Sequence, residues 1–461
     1  MKISQISVRS LFGSLNHEIP LGEGGITFIH GSNGCGKTTV LRLVHALLAG
    51  ELQTLKLIDF KDLQVTYTDG HSLLVSRAVT RESTKQLSKQ LFEDEEDLLR
   101  ATVEITIGLL NPKGKEQHRF EYSKQLQKLS SSELRFPLSS VDRRLPFLTR
   151  TAPQQWLDQR TGQFLSFETV IAKYGERLNM GSNFQRPAWL TERLDKARIG
   201  FVRTQRLINI SAIARGPRAD ELKEPRDVVE IYSSQIKDTI AKKLAESAVQ
   251  SQARDRSFPI RLINKEFVKD VPQAEFLETY RSTEERAQNL MSAGLLDQAA
   301  SIPLPQRRLT KLERDVLALY LSDFNEKLDA FTDLQRRIEA LVDVVGSKLR
   351  RKRFVIDRQK GFVFETYDDP PRKLSVTDLS SGEQHQIVLF YELIFASTGI
   401  DLFLIDEPEI SLHVEWQRAF ISDIEKVQAL TGATFLIATH SPQVINNRRD
   451  LAVPLDGGLP E

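Results

Sequence analysis

A glycine-rich run near the N-terminus has the residue types and the spacing that bind phosphate. Residues 31–38 read GSNGCGKT, which fits the pattern G-x-x-x-x-G-K-[ST]. An apolar strand-like run at 26–29 precedes it and a helical run at 40–48 follows it, and this context favours a phosphate-binding loop. The glycines let backbone N–H groups converge on phosphate, the lysine reaches the β- and γ-phosphates, and the threonine hydroxyl binds Mg²⁺. The candidate nucleotide-binding residues here are Asn33, Gly34, Cys35, Gly36, Lys37, Thr38 and Thr39.

Two adjacent carboxylates, Asp406 and Glu407, follow the apolar run 402–405. Such a run is typical of a strand buried on both faces, and open α/β sheets bind ligands at the carboxyl ends of their strands. Asp406 can hold Mg²⁺ there through water, and Glu407 can orient and deprotonate an attacking water. The alternative is a buried strand that ends in a solvated acidic turn, but the glycine-rich loop favours the catalytic interpretation.

Two further motifs lie in the last hundred residues. Residues 379–384 read LSSGEQ and precede a helix, whose N-terminal N–H groups and dipole attract an anion. The alternative there is an ordinary serine N-cap with Glu383 in the first helical turn. Residues 434–442 read TFLIATHSP, a predicted strand that delivers His440 to the same sheet edge. A structural histidine is the alternative for His440.

Composition limits the class of protein. The chain has 461 residues, enough for two or three domains, and its formal net charge of +1 gives no bulk basicity that would indicate nucleic-acid binding. Its one cysteine, Cys35, excludes a disulfide framework, and we favour a space-filling role for it over a redox switch. A strand pattern begins at the N-terminus, and no apolar run approaches the roughly 20 residues that cross a bilayer. We therefore expect a cytoplasmic protein without a signal peptide or membrane segment.

The apolar pattern predicts an α/β fold. Alternating runs in the first 125 residues predict an α/β core plus an antiparallel sheet, and the last hundred residues alternate strands and helices. Residues 124–196 form an irregular insert without a clear assignment. From 309 to 349 apolar residues step mostly by three or four, which predicts one long amphipathic helix or a pair of helices.

In this order, the four motifs resemble those of the ATP-binding-cassette (ABC) type of ATPase. The closer likeness is to the RecF, SMC and OLD group, because residues 406–413, DEPEISLH, are similar to that group's Walker B and D-loop. The resemblance implies a P-loop NTPase fold of the ABC and RecF type with an antiparallel β subdomain and a helical insert, or short arm. It implies an N-terminal half of the ATPase head at 1–210, the helical arm at 211–350 and a C-terminal half of the head at 351–461.

The resemblance also implies roles for individual residues. Gln205 is the expected Q-loop glutamine near Mg²⁺ and the attacking water, and His440 is the expected sensor of the γ-phosphate. The catalytic candidates are thus Glu407, His440 and Gln205, and the candidate metal ligands are Thr38, Gln205 and Asp406. ATP and Mg²⁺ are the implied cofactors.

The signature motif implies that each complete site is shared between two copies of the chain. The residues expected to contact ATP held by another protomer are Ser380, Ser381, Gly382 and Glu383. Residues 411–413 are expected to line the protomer interface. The implied assembly is a homo-oligomer, at least an ATP-sandwich dimer and up to a hexamer.

Several functions fit this type of ATPase. A transporter cassette is disfavoured, since many more residues separate Lys37 from Ser380 than a compact cassette needs. OLD-type nucleases continue into a nuclease domain for which the few residues after His440 leave no room, so we expect any nuclease to be a separate chain. That arrangement resembles the ATPase subunits of two-component phage-defence systems such as PARIS and Septu, with nucleic acid or a phage protein as the trigger. The alternatives are a RecF-like DNA repair ATPase and an ATP-binding scaffold without turnover.

Three further features lie outside the four motifs. The basic run 348–353, KLRRKR, either complements the dipole at a helix C-terminus or binds nucleic-acid phosphates, and we favour the helix terminus. Arg203 and Arg206, on either side of Gln205, are candidates to neutralise triphosphate charge. Phe12 either stacks on adenine or lies in the core, and the core is favoured.

Overall fold

The chain forms two compact units. The computed structural model describes residues 2–22, 24–80, 102–122, 138–145, 148–152, 155–158, 163–166, 170, 186–203, 228–264, 271–296, 307–395, 399–410 and 412–455. The chain divides into two compact units, Met1–Pro225 with Ala396–Glu461, and Arg226–Phe395. The first unit carries the glycine-rich loop and the Asp406-Glu407 pair, and the second carries the signature motif.

Strands dominate the first unit and helices the second. The strands of the described residues are β1 (Ile3–Leu11), β2 (Leu15–Pro20), β3 (Ile26–His30), β4 (Asp62–Tyr67), β5 (Ser72–Thr80), β6 (Thr102–Leu110), β7 (Glu116–Glu121), β8 (Leu148–Ala152), β9 (Gln155–Asp158), β10 (Gln163–Ser166), β11 (Ile199–Val202), β12 (Lys352–Asp357), β13 (Gly361–Thr366), β14 (Lys373–Leu374), β15 (Leu402–Asp406), β16 (Thr434–Ala438) and β17 (Ala452–Pro454). The α-helices are α1 (Lys37–Leu48), α2 (Leu52–Leu57), α3 (Ser139–Arg144), α4 (Ala188–Lys196), α5 (Val228–Ile263), α6 (Gln273–Ser292), α7 (Lys311–Asp329), α8 (Thr332–Gly346), α9 (Ser381–Phe395), α10 (Val414–Thr431) and α11 (Pro442–Ile445).

A parallel sheet positions the candidate site in the first unit. Its strand order is β11-β15-β16-β3-β17, and every neighbouring pair is parallel. Every residue of β15 and β16 is buried, as expected for strands covered on both faces. The register aligns Asp406 with Ala438, and Ala438 with Ile29. Because neighbouring parallel strands end at one edge of a sheet, the glycine-rich loop, Glu407 and His440 all follow strands that end there.

An antiparallel sheet also belongs to the first unit, with strand order β2-β1-β4-β5-β6-β7. Burial alternates residue by residue along β4, as expected for a strand with one face in the core. The turn Asp69-Gly70 joins β4 to β5, and Gly70 adopts a φ of 82° that favours glycine. Helix α1 shares a hydrophobic cluster with this sheet, in which Leu41 and Val65 are fully buried. The predicted antiparallel subdomain is confirmed.

The insert at 124–196 contains short elements that the sequence pattern did not reveal. Among its described residues, β8, β9 and β10 form a small antiparallel sheet, and the buried indole of Trp156 donates to Asp142 Oδ1 on α3 at 2.6 Å. Leu190 and Leu194 on α4 belong to the hydrophobic cluster of the first unit. Strands of four or five residues are too short to establish a period of two against polar neighbours.

The second unit consists of α5 to α9 and the sheet β12-β13-β14. The predicted helix or pair over 309–349 is a pair, because α7 begins at a capping box of Thr310 with Glu313 and ends before Phe331, and α8 begins at Thr332. Helix α8 packs against α9, and α5 packs against β13. In the described part of the chain, no helix has both the length and the hydropathy to span a bilayer.

These elements confirm the predicted fold class, an α/β P-loop architecture of ABC type with an antiparallel β subdomain and helices. The domain boundaries at 210 and 350 stay predictions. In the structure, the sheet β12-β13-β14 and the signature helix α9 share a unit with α5 to α8.

Candidate functional site

The glycine-rich loop joins β3 to α1 with a backbone that requires glycine. Gly34 and Gly36 have φ values of 88° and 91°, in the region where a side chain is strained. A Cβ atom on Gly36 would also lie 2.5 Å from Leu11 Cδ2. Gly36 is the N-cap of α1, and among the described residues no side chain caps this helix. The first N–H groups of α1 therefore remain for a ligand such as phosphate.

Lys37 is buried, and its ammonium group turns back into the loop. Nζ donates to the carbonyl oxygens of Gly31 and Ser32, both at 2.9 Å, and lies 3.5 Å from Cys35 Sγ. Cys35 is buried, and its carbonyl oxygen lies 2.9 Å from Nε2 of buried His17 on β2. The loop is thus held around an ammonium group, an arrangement that suits an anionic ligand.

Thr38 and Asp406 meet at the edge of the parallel sheet. Thr38 Oγ1 donates to Asp406 Oδ1 at 2.9 Å, although the two residues are 368 positions apart. Only 5% of Asp406 is exposed. A hydroxyl and a carboxylate side by side are hard oxygen ligands of the kind that Mg²⁺ prefers, so the pair fits the predicted metal.

Glu407 and His440 form a second contact at this edge. Glu407 Oε1 lies 3.4 Å from His440 Nε2, and the side chains are 27% and 34% exposed. Glu407 has a φ of 45°, which is costly for a residue other than glycine and recurs at functional sites. Its N–H donates to Ala438 O at 2.9 Å, which holds this residue against β16. A carboxylate and an imidazole that both reach solvent can orient and deprotonate a water nucleophile.

The signature motif begins helix α9 in the second unit. Ser380 and Glu383 form a capping box, in which Ser380 N–H donates to Glu383 Oε2 at 2.7 Å and Glu383 N–H donates to Ser380 Oγ at 3.3 Å. This is the serine cap that the sequence offered as the alternative. Exposed Ser381 and buried Gly382 follow in the first turn, where a helix leaves N–H groups without intrahelical partners. The cap and an anion site are therefore compatible.

The basic run 348–353 divides into internal and exposed cations. Lys348 is buried and donates to Val344 O at 3.1 Å, in the last turn of α8, so the helix-terminus interpretation holds for this residue. Lys352 Nζ lies 2.8 Å and 3.1 Å from the two carboxylate oxygens of Glu383 and thereby supports the signature cap. The exposed cations of the run are Arg350, Arg351 and Arg353.

Phe12 lies in the turn between β1 and β2 and is 51% exposed, so its placement in the core is wrong. Its φ of 52° belongs to a tight turn. Its Cε2 atom is 3.7 Å from the position that a Cβ on Gly36 would occupy. An exposed ring beside a phosphate-binding loop is placed to stack on a base.

The charge of Arg203 affects His45, in the C-terminal half of α1. Burial, and after it the positive charge of Arg203, lower the pKa of His45 to about 4. The Arg203 guanidinium lies 5.5 Å from the centre of the Phe201 ring, which is itself 5.3 Å from the His45 ring. These contacts lie along α1 and not at its N-terminus, so they give no support to a role in neutralising triphosphate.

For several predicted residues the structure does not test the proposed role. Gln205, Arg206 and Ser411 lie outside the described residues. Asn33 is exposed in the loop, and Thr39 is half-buried in the first turn of α1. The proposed roles of these residues rest on the sequence alone.

Three side chains that support the site were missed by sequence reasoning. His17 supports the glycine-rich loop, Lys352 supports the signature cap, and Glu409 accepts hydrogen bonds from the loop that carries His440. Glu409 had a sequence signal, an additional carboxylate two residues after Glu407. The contacts of the other two join residues distant in sequence and follow no local pattern.

Residues 211–446 match the family described as "AAA domain, putative AbiEii toxin, Type IV TA system". That stretch is just over half of the chain. The chain belongs to this AAA family. Its assignment confirms the predicted class, an ATP-binding ATPase of the ABC and SMC type. The family match contains α5 to α11, and the glycine-rich loop lies before it.

Curated relatives of this AAA-family chain include UvrABC system protein A from two bacteria. The protein of Aquifex aeolicus is 24% identical over 155 residues, which are 32% of this chain and 16% of that protein. The protein of Clostridium acetobutylicum is 38% identical over 69 residues, which are 15% of this chain and 7% of that protein. The chain spans less than a fifth of the length of these relatives.

Two solved structures of SMC heads resemble the AAA-family chain at low scores. The Smc head domain of Pyrococcus furiosus, with an extended coiled coil and bound to the C-terminal domain of ScpA, gives a TM-score of 0.33 at 13% identity and covers 97% of this chain and 91% of its own. The SMC head domain of Thermotoga maritima gives 0.31 at 10% identity, with coverage of 98% and 92%. At these scores neither likeness carries a functional conclusion.

Proposed function

We propose that this AAA-family chain binds Mg-ATP and hydrolyses it at sites shared between two copies. The observation that carries the proposal is the 3.4 Å contact between Glu407 and His440 beside the Thr38–Asp406 pair. An ATP-binding scaffold needs the glycine-rich loop and metal ligands, but it has no use for a carboxylate and an imidazole within reach of each other. Their presence at the same edge favours turnover over passive binding.

The residues at the sheet edge divide the work of hydrolysis. Lys37 and the N–H groups of the loop hold the β- and γ-phosphates, while Thr38 and Asp406 hold the metal. Mg²⁺, when bound, neutralises charge on the triphosphate oxygens. Glu407 orients the attacking water and accepts its proton, and His440 donates a hydrogen bond to the γ-phosphate as negative charge develops there.

A second copy completes each site with its signature motif. Ser381 and Gly382 present N–H groups at the start of a helix that Ser380 and Glu383 already cap. Donors held in place before the reaction stabilise developing charge without reorganisation. Gln205 keeps its predicted role beside the metal and the water. ATP thus closes two copies on each other, and hydrolysis lets them separate.

The ATPase cycle controls a separately encoded nuclease in an anti-phage defence complex. Support comes from the description of the family, which names the AbiEii toxin and a type IV TA system, and from the motifs that resemble those of defence ATPases. The ATP-bound state holds the nuclease, and contact with nucleic acid or a phage protein triggers its release.

Affinity purification from the native host tests this role. The Glu407→Gln chain with ATP should retain the effector, because it binds ATP without hydrolysing it. Lys37→Ala is the matched control and should lose the same partner. Mass spectrometry that finds a stoichiometric nuclease-like protein only with Glu407→Gln supports the proposal, and recovery of repair proteins and nucleic acid without such a partner contradicts it.

A RecF-like DNA-binding ATPase is the second candidate function. Two observations favour it: the similarity to UvrABC system protein A and the exposed arginines of the basic run. Reversing the charge at Arg350 and Arg351 should then weaken DNA binding and reduce its salt dependence. Unchanged affinity at every salt concentration would reject a role for this run in nucleic-acid binding.

A further inference from the structure

Glu409 connects the segment after Glu407 to the loop that carries His440. Its Oε1 accepts hydrogen bonds from Thr439 Oγ1 at 2.8 Å, from His440 N–H at 2.6 Å and from Ser441 N–H at 3.2 Å. Thr439 is fully buried. Hydrogen bonds to an ionised acceptor are stronger than neutral ones, so this carboxylate fixes the chain on both sides of the histidine.

Gln417 on α10 makes a second connection between the same two segments. Its Oε1 accepts from Ser441 Oγ at 2.7 Å, and its Nε2 donates to Leu412 O at 3.1 Å. Leu412 N–H in turn donates to Glu409 O at 2.9 Å. Two points of the segment after Glu407 are therefore connected to the loop that carries His440: Glu409 directly, and Leu412 through Gln417. We call Glu409 and Gln417, with these hydrogen bonds, the clasp.

The second oxygen of Glu409 sets this side chain apart from an ordinary structural one. Oε2 is buried and has no hydrogen-bond partner among the described residues. A buried acceptor without a partner costs free energy, and such groups call for a functional explanation. The clasp also lies directly beside the Glu407–His440 contact, where a small displacement would change the geometry of the reacting groups.

We infer that Glu409 is a positioning residue for His440 and that the clasp transmits contact at Leu412 and His413 to that histidine. The inference rests on the proposed function, in which two copies close on each other, and on the sequence-based expectation that residues 411–413 line their interface. A partner that fixes Leu412 also fixes, through the clasp, the backbone of His440. Hydrolysis is thereby restricted to assembled copies.

Kinetics of Glu409 variants test the positioning role. We expect Glu409→Ala to lower kcat for ATP about a hundredfold, the effect of misplacing a reacting group by about 1 Å, while KM changes less than about twofold. Glu409→Gln keeps an oxygen acceptor at the same place and should remain within about fivefold of the wild-type kcat. Glu116→Ala, at an exposed position on β7, is the matched control and should behave as wild type.

Three kinetic results would overturn the positioning role. These are a wild-type kcat in Glu409→Ala, a loss that resides in KM, and a Glu409→Gln variant no better than alanine. A side chain that merely stabilises the fold would lower the amount of active protein and would not be rescued in kcat by glutamine alone. Melting curves of each variant identify that case.

Amide hydrogen exchange tests the clasp without ATP. In Glu409→Ala, His440 N–H loses its acceptor, and Ser441 N–H loses one of its two acceptors and keeps Thr439 Oγ1 at 3.0 Å. A peptide over 436–445 should therefore exchange about tenfold faster. Unchanged exchange would reject the clasp even if the chain hydrolyses ATP. An inactive wild-type chain would instead reject the proposed function, and the exchange measurement would still decide whether the clasp exists.

A double variant tests transmission through the clasp. If Glu409 and Gln417 act as one unit, Glu409→Ala with Gln417→Ala should lose no more kcat than Glu409→Ala alone, because coupled residues are not additive. ATP-dependent association, measured by light scattering, should persist in Glu409→Ala, in the single variant Gln417→Ala and in the double variant. Additive losses in kcat, or loss of association in Glu409→Ala, would overturn transmission through the clasp.

Discussion

Two helices of this chain begin at glycine-containing motifs, and they begin differently. Helix α1 has Gly36 as its N-cap, no side-chain cap among the described residues, and no acidic residue in its first turn. Helix α9 has the capping box of Ser380 and Glu383, and the Glu383 carboxylate pairs with Lys352. One terminus has its N–H groups open, and the other is already stabilised by its own side chains.

This difference indicates what each terminus would contribute to the shared site that we propose. An uncapped terminus beside Lys37 gains stabilisation when an anion binds, so it supplies affinity. A capped terminus keeps its geometry without a ligand, so Ser381 and Gly382 supply alignment. Substitutions at α1 should therefore act on ATP binding, and substitutions at α9 should act on turnover.

Lys37→Ala tests the affinity half of this comparison most directly. Removing a buried ammonium group that is proposed to bind the β- and γ-phosphates should raise the Kd for ATP about a thousandfold, because hydrogen bonds to charged groups contribute about 1.5–3 kcal/mol each. Isothermal titration calorimetry measures the change. Lys113→Ala, at an exposed turn, is the control. A Kd within tenfold of wild type would contradict the role of α1.

Glu407→Gln should impair the hydrolysis step without changing either helix terminus. It should lower kcat about a hundredfold, the usual contribution of a general base, and leave the Kd for ATP within a few fold. The variant should also accumulate as an ATP-bound dimer, which size-exclusion chromatography detects. Glu116→Gln, at an exposed position on β7, is the control. Wild-type turnover in Glu407→Gln would reject this assignment and leave the scaffold interpretation in place.

Mixing two inactive variants tests whether α1 and α9 of different copies form one site. Ser381→Arg should lower kcat at least tenfold by blocking the signature, with little change in ATP affinity. A 1:1 mixture of Lys37→Ala and Ser381→Arg chains should recover about a quarter of the wild-type rate, since half of symmetric dimers would carry one intact site of two. No recovery in freely exchanging dimers would contradict the shared site.

The sequence predicted the parts of the site that lie on buried parallel strands. Apolar runs such as 402–405 and 434–438 are typical of strands covered on both faces, and their carboxyl ends locate Asp406 and His440. The helices α7 and α8 followed from apolar spacing, although the break between them did not. The sequence alone thus predicts those strands and helices whose apolar spacing is strong along the whole element.

Contacts between residues distant in sequence could not be predicted from local patterns. The Glu409 contacts to 439–441 and the Lys352–Glu383 pair depend on how strands and helices meet, which no period in the sequence encodes. Phe12 was assigned to the core because large apolar residues are usually buried. Its turn conformation, with a φ of 52°, turns the ring outward instead.

Lys352→Met tests whether α9 is stabilised by its own side chains. The substitution leaves the Glu383 carboxylate, which is 9% exposed, without its cation and should lower the free energy of unfolding by about 2–3 kcal/mol. Urea denaturation measures it. Arg353→Met, on the exposed face of the same strand, should change the stability by less than about 0.5 kcal/mol. Equal effects of the two substitutions would show that the pair does not stabilise the signature.

Phe12→Ala tests whether ATP affinity at the α1 end of the site depends on a contact with the base as well as on contacts with the phosphates. Loss of a ring that stacks on adenine should raise the Kd for ATP about fivefold, which corresponds to about 1 kcal/mol. Phe12→Tyr keeps the aromatic face and should bind as wild type. Inorganic triphosphate has no base, so its affinity should be the same for all three chains. If Phe12→Ala weakened triphosphate equally, the ring would instead be shaping the loop around Gly36, and α1 would supply affinity through phosphate alone.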